Sequence, residues 1–329
     1  MPPADAAHPV LAEVIRSGYT ESWHRGSLVV LDAAGLPTRS AGTTDKPMFP
    51  RSSNKPMQAA AMLDLGLDLD NELLALAAAS HSGEDFHIEG VRQILRRAGL
   101  AEPDLQCPPD LPLDEQARAE FLRGGGKADR IHMNCSGKHA AMLAACVARD
   151  WPRQAYRDPG HPLQQRIKSM IGELAGEPVT AIGVDGCGAP LMSVSLTGLA
   201  RAFSAVVLAE PGTPARKVAD AMRAYPTWMS GTRRSDSAFM AAVPGLLMKG
   251  GADGVCAFAL ADGRAGAVKI DDGGQRALAP LLARLLLELT SGGGPDGVNV
   301  SSLRQLATSP VTGGGQPVGE IRAVLPSTG

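Results

Sequence analysis

The sequence predicts an α/β (α+β) fold in which helices fill the middle of the chain and strands from both ends share one mixed sheet. Three observations lead there: helical composition is concentrated between about residues 51 and 250, β-rich segments open and close the chain, and strict βαβ alternation is absent. No Gly-x-Gly-x-x-Gly opening follows the first strand, which argues against a dinucleotide-binding fold. Residues 1–329 are therefore read as one domain, with a central helical region at about 51–250 and a sheet built from both termini.

The elements follow in order. Residues 10–16 and 27–32 read as strands, with Ala33-Ala34-Gly35 as a turn, and the proline-rich stretch 47–50 closes this opening segment. Pro56 suits a first helical turn, and helical composition continues over 57–65. A second helix is expected at 71–79, ending in the polar turn Ser80-His81-Ser82-Gly83-Glu84, and a third at 88–98, stopped by Gly99. Residues 101–114 read as loop, and Gly124-Gly125-Gly126 marks a break. Asn134 is the expected cap of a helix over 136–149, and 163–175 is a further amphipathic helix. A short strand over 179–184 leads into Asp185-Gly186-Cys187-Gly188. Strands at 255–260 and 266–270 are joined by the turn Ala261-Asp262-Gly263-Arg264. A leucine-rich helix follows at 278–289, then a loop-rich tail with a final strand at 320–325.

Composition narrows the class of function. Apolar residues make up 44% of the chain and charged residues 20%, ample for a core, while aromatics at 4% leave Ala, Gly and Leu to fill it. The formal charge of −2, without a basic stripe, argues against a nucleic-acid partner. No run approaches the roughly 20 apolar residues of a membrane span, and residues 1–10 lack a signal pattern, so no membrane association is expected. Five cysteines, an odd number in a large chain, argue against a disulfide framework and for a cytoplasmic location.

Four segments could carry chemistry. In Arg51-Ser52-Ser53-Asn54-Lys55-Pro56, Ser52 and Lys55 are three apart and share a face of a first helical turn. A serine nucleophile needs an adjacent base, and a lysine can serve, but the same pattern also suits a capped helix start with a surface lysine. In Asn134-Cys135-Ser136-Gly137-Lys138-His139, read with Asp185-Gly186-Cys187-Gly188, two thiolates and an amine could meet at a zinc ion. Equally, both cysteines could be small buried hydrophobes, and His139 is an alternative ligand. Ser80-His81-Ser82-Gly83-Glu84-Asp85 is a site loop or an ordinary helix-ending turn. Lys269, alone on the apolar strand Gly266-Ala267-Val268-Lys269-Ile270, is an edge guard or a second cation for the serine–lysine pair.

Together these segments, in this order and spacing, resemble the class 3 (rhizobial-type) L-asparaginases, the asparaginase II family, over nearly the whole chain. The Cys-Ser-Gly-Lys-His and Asp-Gly-Cys motifs are the specific ones. The resemblance implies a serine β-lactamase/glutaminase-like mixed sheet covered by helices and an L-asparagine amidohydrolase, forming aspartate and ammonia. It implies Ser52 as nucleophile, Lys55 as its base, and Ser80 with Lys269 as a second pair supporting proton transfer. Cys135, Lys138 and Cys187 would hold Zn2+, with Asp185 close by; Asp185 and Arg51 would lie on the substrate side. A homodimer is also implied. The segment Trp228-Met229-Ser230-Gly231-Thr232-Arg233-Arg234 fits the family only loosely.

Two rival readings make different demands. Another amidase or a β-lactamase-like acyl-transfer enzyme calls for a Lys-Thr/Ser-Gly strand motif, whereas Lys269 is followed by Ile270-Asp271. A non-catalytic zinc-binding sensor would use Cys135 and Cys187 but would not need Ser52, Lys55 or Lys269.

Overall fold

Residues 8–326 are described by the structure, a computed structural model; residues 1–7, read above for a leader, lie outside it. The α/β class expected from sequence is the one observed. The described chain divides into two compact units, one of residues 8–53, Ser195–Ser204 and 238–326, the other of Asn54–Val194 and Ala205–Ser237.

The first unit is built on an antiparallel sheet. Strands β1 (Val10–Arg16) and β2 (Tyr19–Leu31) form a hairpin across Ser17 and Gly18, whose φ values of 48° and 80° suit a two-residue turn. They are followed by β3 (Pro37–Ala41), β4 (Leu247–Gly251), β5 (Val255–Ala259), β6 (Ala265–Ile270), β7 (Ser309–Gly313) and β8 (Gln316–Ala323). The order is β7-β8-β1-β2-β6-β5-β4, with β3 paired to β2. Strand β2 starts eight residues before the expected strand at 27–32, because its first half is polar. Tyr19, Glu21, Trp23 and Arg25 face solvent there, and only Leu28–Leu31 form the apolar run that sequence periodicity detects.

Strands β4 and β7 were absent from the expected set for related reasons. Strand β4 ends in Lys249-Gly250-Gly251, poor strand formers, and β7 carries Pro310, which its edge position tolerates. The helix Leu278–Ser291 packs on β8 and β1 and buries Leu281, Leu282, Leu285 and Leu286. The helix Leu196–Leu208, also unexpected, is tied to the β5–β6 turn by Ser204 Oγ, which donates to Gly263 O at 2.7 Å.

The second unit is helical: α1 (Lys55–Asp64), α2 (Asn71–Ala77), α3 (Asp85–Arg97), α4 (Glu115–Arg123), α5 (Ser136–Ala148) and α6 (Pro162–Ala175), followed by Pro214–Ala224. Pro56 opens α1 as expected, and residues from Lys55 to Met62 are all buried. Helix α1 packs against α5, α6 and the helix Pro214–Ala224, and its small residues Ala59-Ala60-Ala61 are fully buried. Asn134 is not the cap of α5. Cys135 holds that position, and Asn134 instead accepts from Cys135 Sγ at 3.1 Å and, through its backbone oxygen, from His81 N at 3.0 Å. Helix α4 escaped sequence reading because it buries no residue, and so has no apolar period to read. The strand expected at 179–184 shrinks to Ile182–Val184, paired with Pro190–Met192; the turn between them carries Cys187.

Candidate active site

The helical unit gathers six of the expected residues. Lys55, the first residue of α1, is 1% exposed, and its Nζ donates to Ala79 O at 2.5 Å, Ser80 Oγ at 2.9 Å and Cys135 Sγ at 3.1 Å. The loop bearing Ser80 is pinned on both sides: Ser80 N donates to Met229 O at 3.2 Å and His81 N to Asn134 O. Ser80 meets Lys55, whereas the sequence had paired it with Lys269. Glu84, further along the same loop, accepts from Thr232 N at 3.0 Å and Thr232 Oγ1 at 2.7 Å. Ser82 Oγ donates to Ser230 O at 3.0 Å, so the loosely matching 228–234 segment is fastened to the Ser80 loop.

Cys135, Lys138 and Cys187 converge. Lys138 lies one turn into α5, and its Nζ is 3.1 Å from Cys187 Sγ; Asp185 Oδ2 lies 3.9 Å from the same sulfur. All three donors are at most 3% exposed. A hydrogen bond from Cys135 holds the Cys187 thiol far below its ordinary range despite burial, and Lys138 helps. Cys135 is correspondingly pushed up, by that hydrogen bond and by burial. Burial alone would lower Lys138, but the two sulfurs and Asp185 outweigh it and hold the ammonium above its usual value. Two sulfurs and one amine nitrogen therefore share a dry site. Among the described residues no group of three or more His, Cys, Asp or Glu side chains could hold a metal ion. The set reaches three donors only through Lys138. Two sulfurs and an amine nitrogen are donor types zinc accepts, so the residues fit it.

The sheet unit carries the others. Ser52 is half-buried in the short turn Arg51–Asn54 that runs into α1. Arg51 has φ 52°, rare for a side-chain-bearing residue, and its guanidinium pairs with Asp253. Lys269 Nζ donates to Asp253 O at 2.5 Å and Ile270 O at 2.7 Å, and burial lowers its pKa against the pull of Asp253, Asp271 and Asp272. Lys269 thus straps the turn after β4.

Sequence reading missed Lys249. It lies on β4, is 1% exposed, and precedes Gly250-Gly251. A Cβ on Gly251 would come within 2.8 Å of Pro50 O and 3.2 Å of Ser52 N, so β4 runs directly against the turn of Ser52. The Lys-x-Gly pattern that is absent after Lys269 is present here, two strands away in the same sheet. A buried lysine in an apolar strand ahead of two glycines was the available signal. A separate cleft of about 490 Å3, lined by Glu84, Asp85, Glu120, Phe121, His132 and Arg233 among others, contains none of the expected site residues.

Solved structures align with this chain only at low similarity. One, titled "Crystal Structure Analysis of Mglu in its native form", aligns over 82% of this chain at 16% identity with a TM-score of 0.45. The chain spans 66% of that protein's length, just under two thirds. A β-lactamase from Mycobacterium bovis aligns over 80% of this chain and 94% of its own, at 16% identity and a TM-score of 0.46. Likenesses this distant say nothing about chemistry. No curated protein matches the chain. The family model described as L-asparaginase II matches residues 12–323, a span that contains every motif above. The chain belongs to the L-asparaginase II family.

Proposed function

We propose that the protein hydrolyses L-asparagine to L-aspartate and ammonia by serine–lysine acyl transfer. The observation that carries this reading is the buried contact of Lys55 Nζ with Ser80 Oγ at 2.9 Å. A hydroxyl held this close to an amine in a water-poor site has a route for its proton. Ser52, three residues before Lys55 in sequence, is the proposed nucleophile and Lys55 the base that takes its proton, with Ser80 hydrogen-bonded to the same amine. Ser52 Oγ attacks the side-chain carboxamide, and the tetrahedral intermediate collapses with cleavage of C–N. The nitrogen takes the proton from the lysine side and leaves as ammonia. Water, giving its proton back along the same route, then releases aspartate from the acyl-serine. Lys249 replaces Lys269 as the second cation of the scheme, because it is the fully buried one and its strand abuts the Ser52 turn.

Cys135, Lys138 and Cys187 are the residues that would hold zinc. When bound, the ion supplies a fixed positive charge that orients polar substrate groups. Asp185, 3.9 Å from Cys187 Sγ, extends this polar edge and is the proposed contact for the substrate amino group.

The test is ammonia release from L-asparagine, with L-glutamine in parallel, by the parent, Ser52→Ala and Ser80→Ala. Release by the parent that is lost in Ser52→Ala, with an acyl adduct trapped in the parent, supports the assignment. Full activity in Ser52→Ala moves the nucleophile to Ser80. No release by the zinc-supplemented parent overturns the reading.

A further inference from the structure

Bridging the two segments that hold Lys55 is a histidine that the proposed chemistry does not use. Lys55 Nζ donates to Ser80 Oγ at 2.9 Å and to Cys135 Sγ at 3.1 Å, so the amine sits between segments far apart in sequence. His81 follows Ser80 directly and is fully buried. Its backbone N–H donates to Asn134 O at 3.0 Å, and its Nε2 is 2.8 Å from Ser136 Oγ. One residue therefore grips the chain on both sides of Cys135.

Geometry fixes the direction of the side-chain bond. Ser136 Oγ gives its one proton to Ile131 O at 2.7 Å, a carbonyl that can only accept. The contact with His81 is then an N–H donated by Nε2, and Ser136 Oγ receives it. Nδ1 is buried with no hydrogen-bond partner among the described residues, so Nε2 makes the one side-chain hydrogen bond that orients the ring. His87 stacks on this ring at 5.2 Å and 21°, and its own Nε2–H donates to Thr227 O at 2.9 Å. Two residues further on, Met229 O accepts from Ser80 N. The two histidines thus link the 227–229 segment, the Ser80 loop and the first residue of α5. The bonds close into a ring that runs from Lys55 Nζ through Ser80, His81, Ser136 and Cys135 back to Lys55 Nζ.

We propose that His81 is a positioning residue for Lys55: its Nε2–H, donated to Ser136 Oγ, sets the separation of the two acceptors, Ser80 Oγ and Cys135 Sγ, that hold the amine. This rests on the reading of Lys55 as the base in asparagine hydrolysis. A displacement near 1 Å at a reacting group, caused by a residue that touches no substrate, costs about 100-fold in rate. The loss falls on kcat and spares KM, because the base acts in the transition state.

The test is ammonia release from L-asparagine by the full chain, with Zn2+ supplied and folding checked by urea titration. His81→Asn, whose amide cannot reach the Nε2 position, is expected to lower kcat about 100-fold with KM within about threefold of the parent. Ser136→Ala, which removes the acceptor, is expected to do the same. His81→Gln places an amide N–H close to the Nε2 position and is expected to keep kcat within about threefold of the parent. His81→Asn combined with Ser136→Ala should cost no more than either alone, because both break one bond. Ser136→Ala decides the matter if His81→Asn does not fold. An active parent with kcat unchanged in folded Ser136→Ala or His81→Asn overturns the proposal alone. So does His81→Gln losing as much as His81→Asn, or a KM that rises as far as kcat falls. An active parent whose Lys55→Met variant is equally active overturns the reading of Lys55 as base, and a parent that releases no ammonia overturns the asparaginase reading; the proposal goes with either.

Discussion

Replacing Lys55 with Met tests the proposed chemistry most directly, because the substitution keeps much of the side-chain length and removes only the amine. The structure sets two magnitudes. Lys55 Nζ gives hydrogen bonds to Ala79 O, Ser80 Oγ and Cys135 Sγ, and a thioether leaves the buried carbonyl and hydroxyl without that donor. Such a loss costs about 1–3 kcal/mol of stability, small enough for the protein to remain folded. Loss of a positioned base costs about 10²–10⁴ in rate, equivalent to roughly 3–5 kcal/mol of transition-state stabilisation. The expected result is therefore a folded protein, by urea titration, with kcat for asparagine down at least 100-fold and KM changed far less. Small primary amines added to Lys55→Met should restore part of the rate. A folded variant with kcat within about threefold of the parent would refute the role of Lys55 as base.

Three further outcomes follow from the same geometry. Lys249→Met should lower kcat by about 100-fold or more, whereas Lys269→Met should cost less than tenfold and act chiefly on stability, since Lys269 straps Asp253 O and Ile270 O; the reverse order in parallel assays would restore Lys269 as the second cation. Gly251→Ala should push the turn at Pro50 and Ser52, because the contacts at 2.8 and 3.2 Å are to backbone atoms that cannot swing away. A shift of that kind costs about 100-fold in kcat and about 1–3 kcal/mol in stability, both measurable on one preparation. The pH dependence of stability offers a separate check. Burial holds His87 at about 4, below its ordinary 6.5, so the unfolded chain takes up the proton first as pH falls. The contribution of His87 is fully present above pH 6.5, is lost progressively on acidification, and levels off below about pH 4, a total of roughly 3 kcal/mol. Urea titrations at pH 7 and pH 4 should show His87→Gln losing less stability than the parent; equal losses would contradict this.

Much of the site was legible because its chemistry is written in short segments. The Cys135–Lys138 spacing on one helical turn brings two donors to one side, and the structure shows Lys138 reaching Cys187 from across the unit. The helices at 71–79 and 136–149 were recognisable from buried alanine and leucine, and they appear as Asn71–Ala77 and Ser136–Ala148. Polar or glycine-rich elements gave no such signal. The first half of β2, the exposed helix α4 and the Lys-Gly-Gly end of β4 are stabilised by pairing with distant segments, which leaves no local period.

The partner of each charged side chain was the least legible feature. Arg51 was placed on the substrate side, yet its guanidinium lies on Asp253, about 200 residues away in sequence. Lys269 and Lys249 are each a lone lysine in an apolar strand, and register alone separates them. Lys269 ends its strand beside a turn whose carbonyls capture it, and Lys249 is enclosed on β4. The sequence by itself determined the family, the α/β class and the short motifs, since these depend on local composition and spacing. Only the tertiary structure decided that Lys55 holds Ser80, that Lys138 meets Cys187, and that Tyr156 meets His139. Those facts depend on burial and on distances between segments far apart in the chain, which no local pattern encodes.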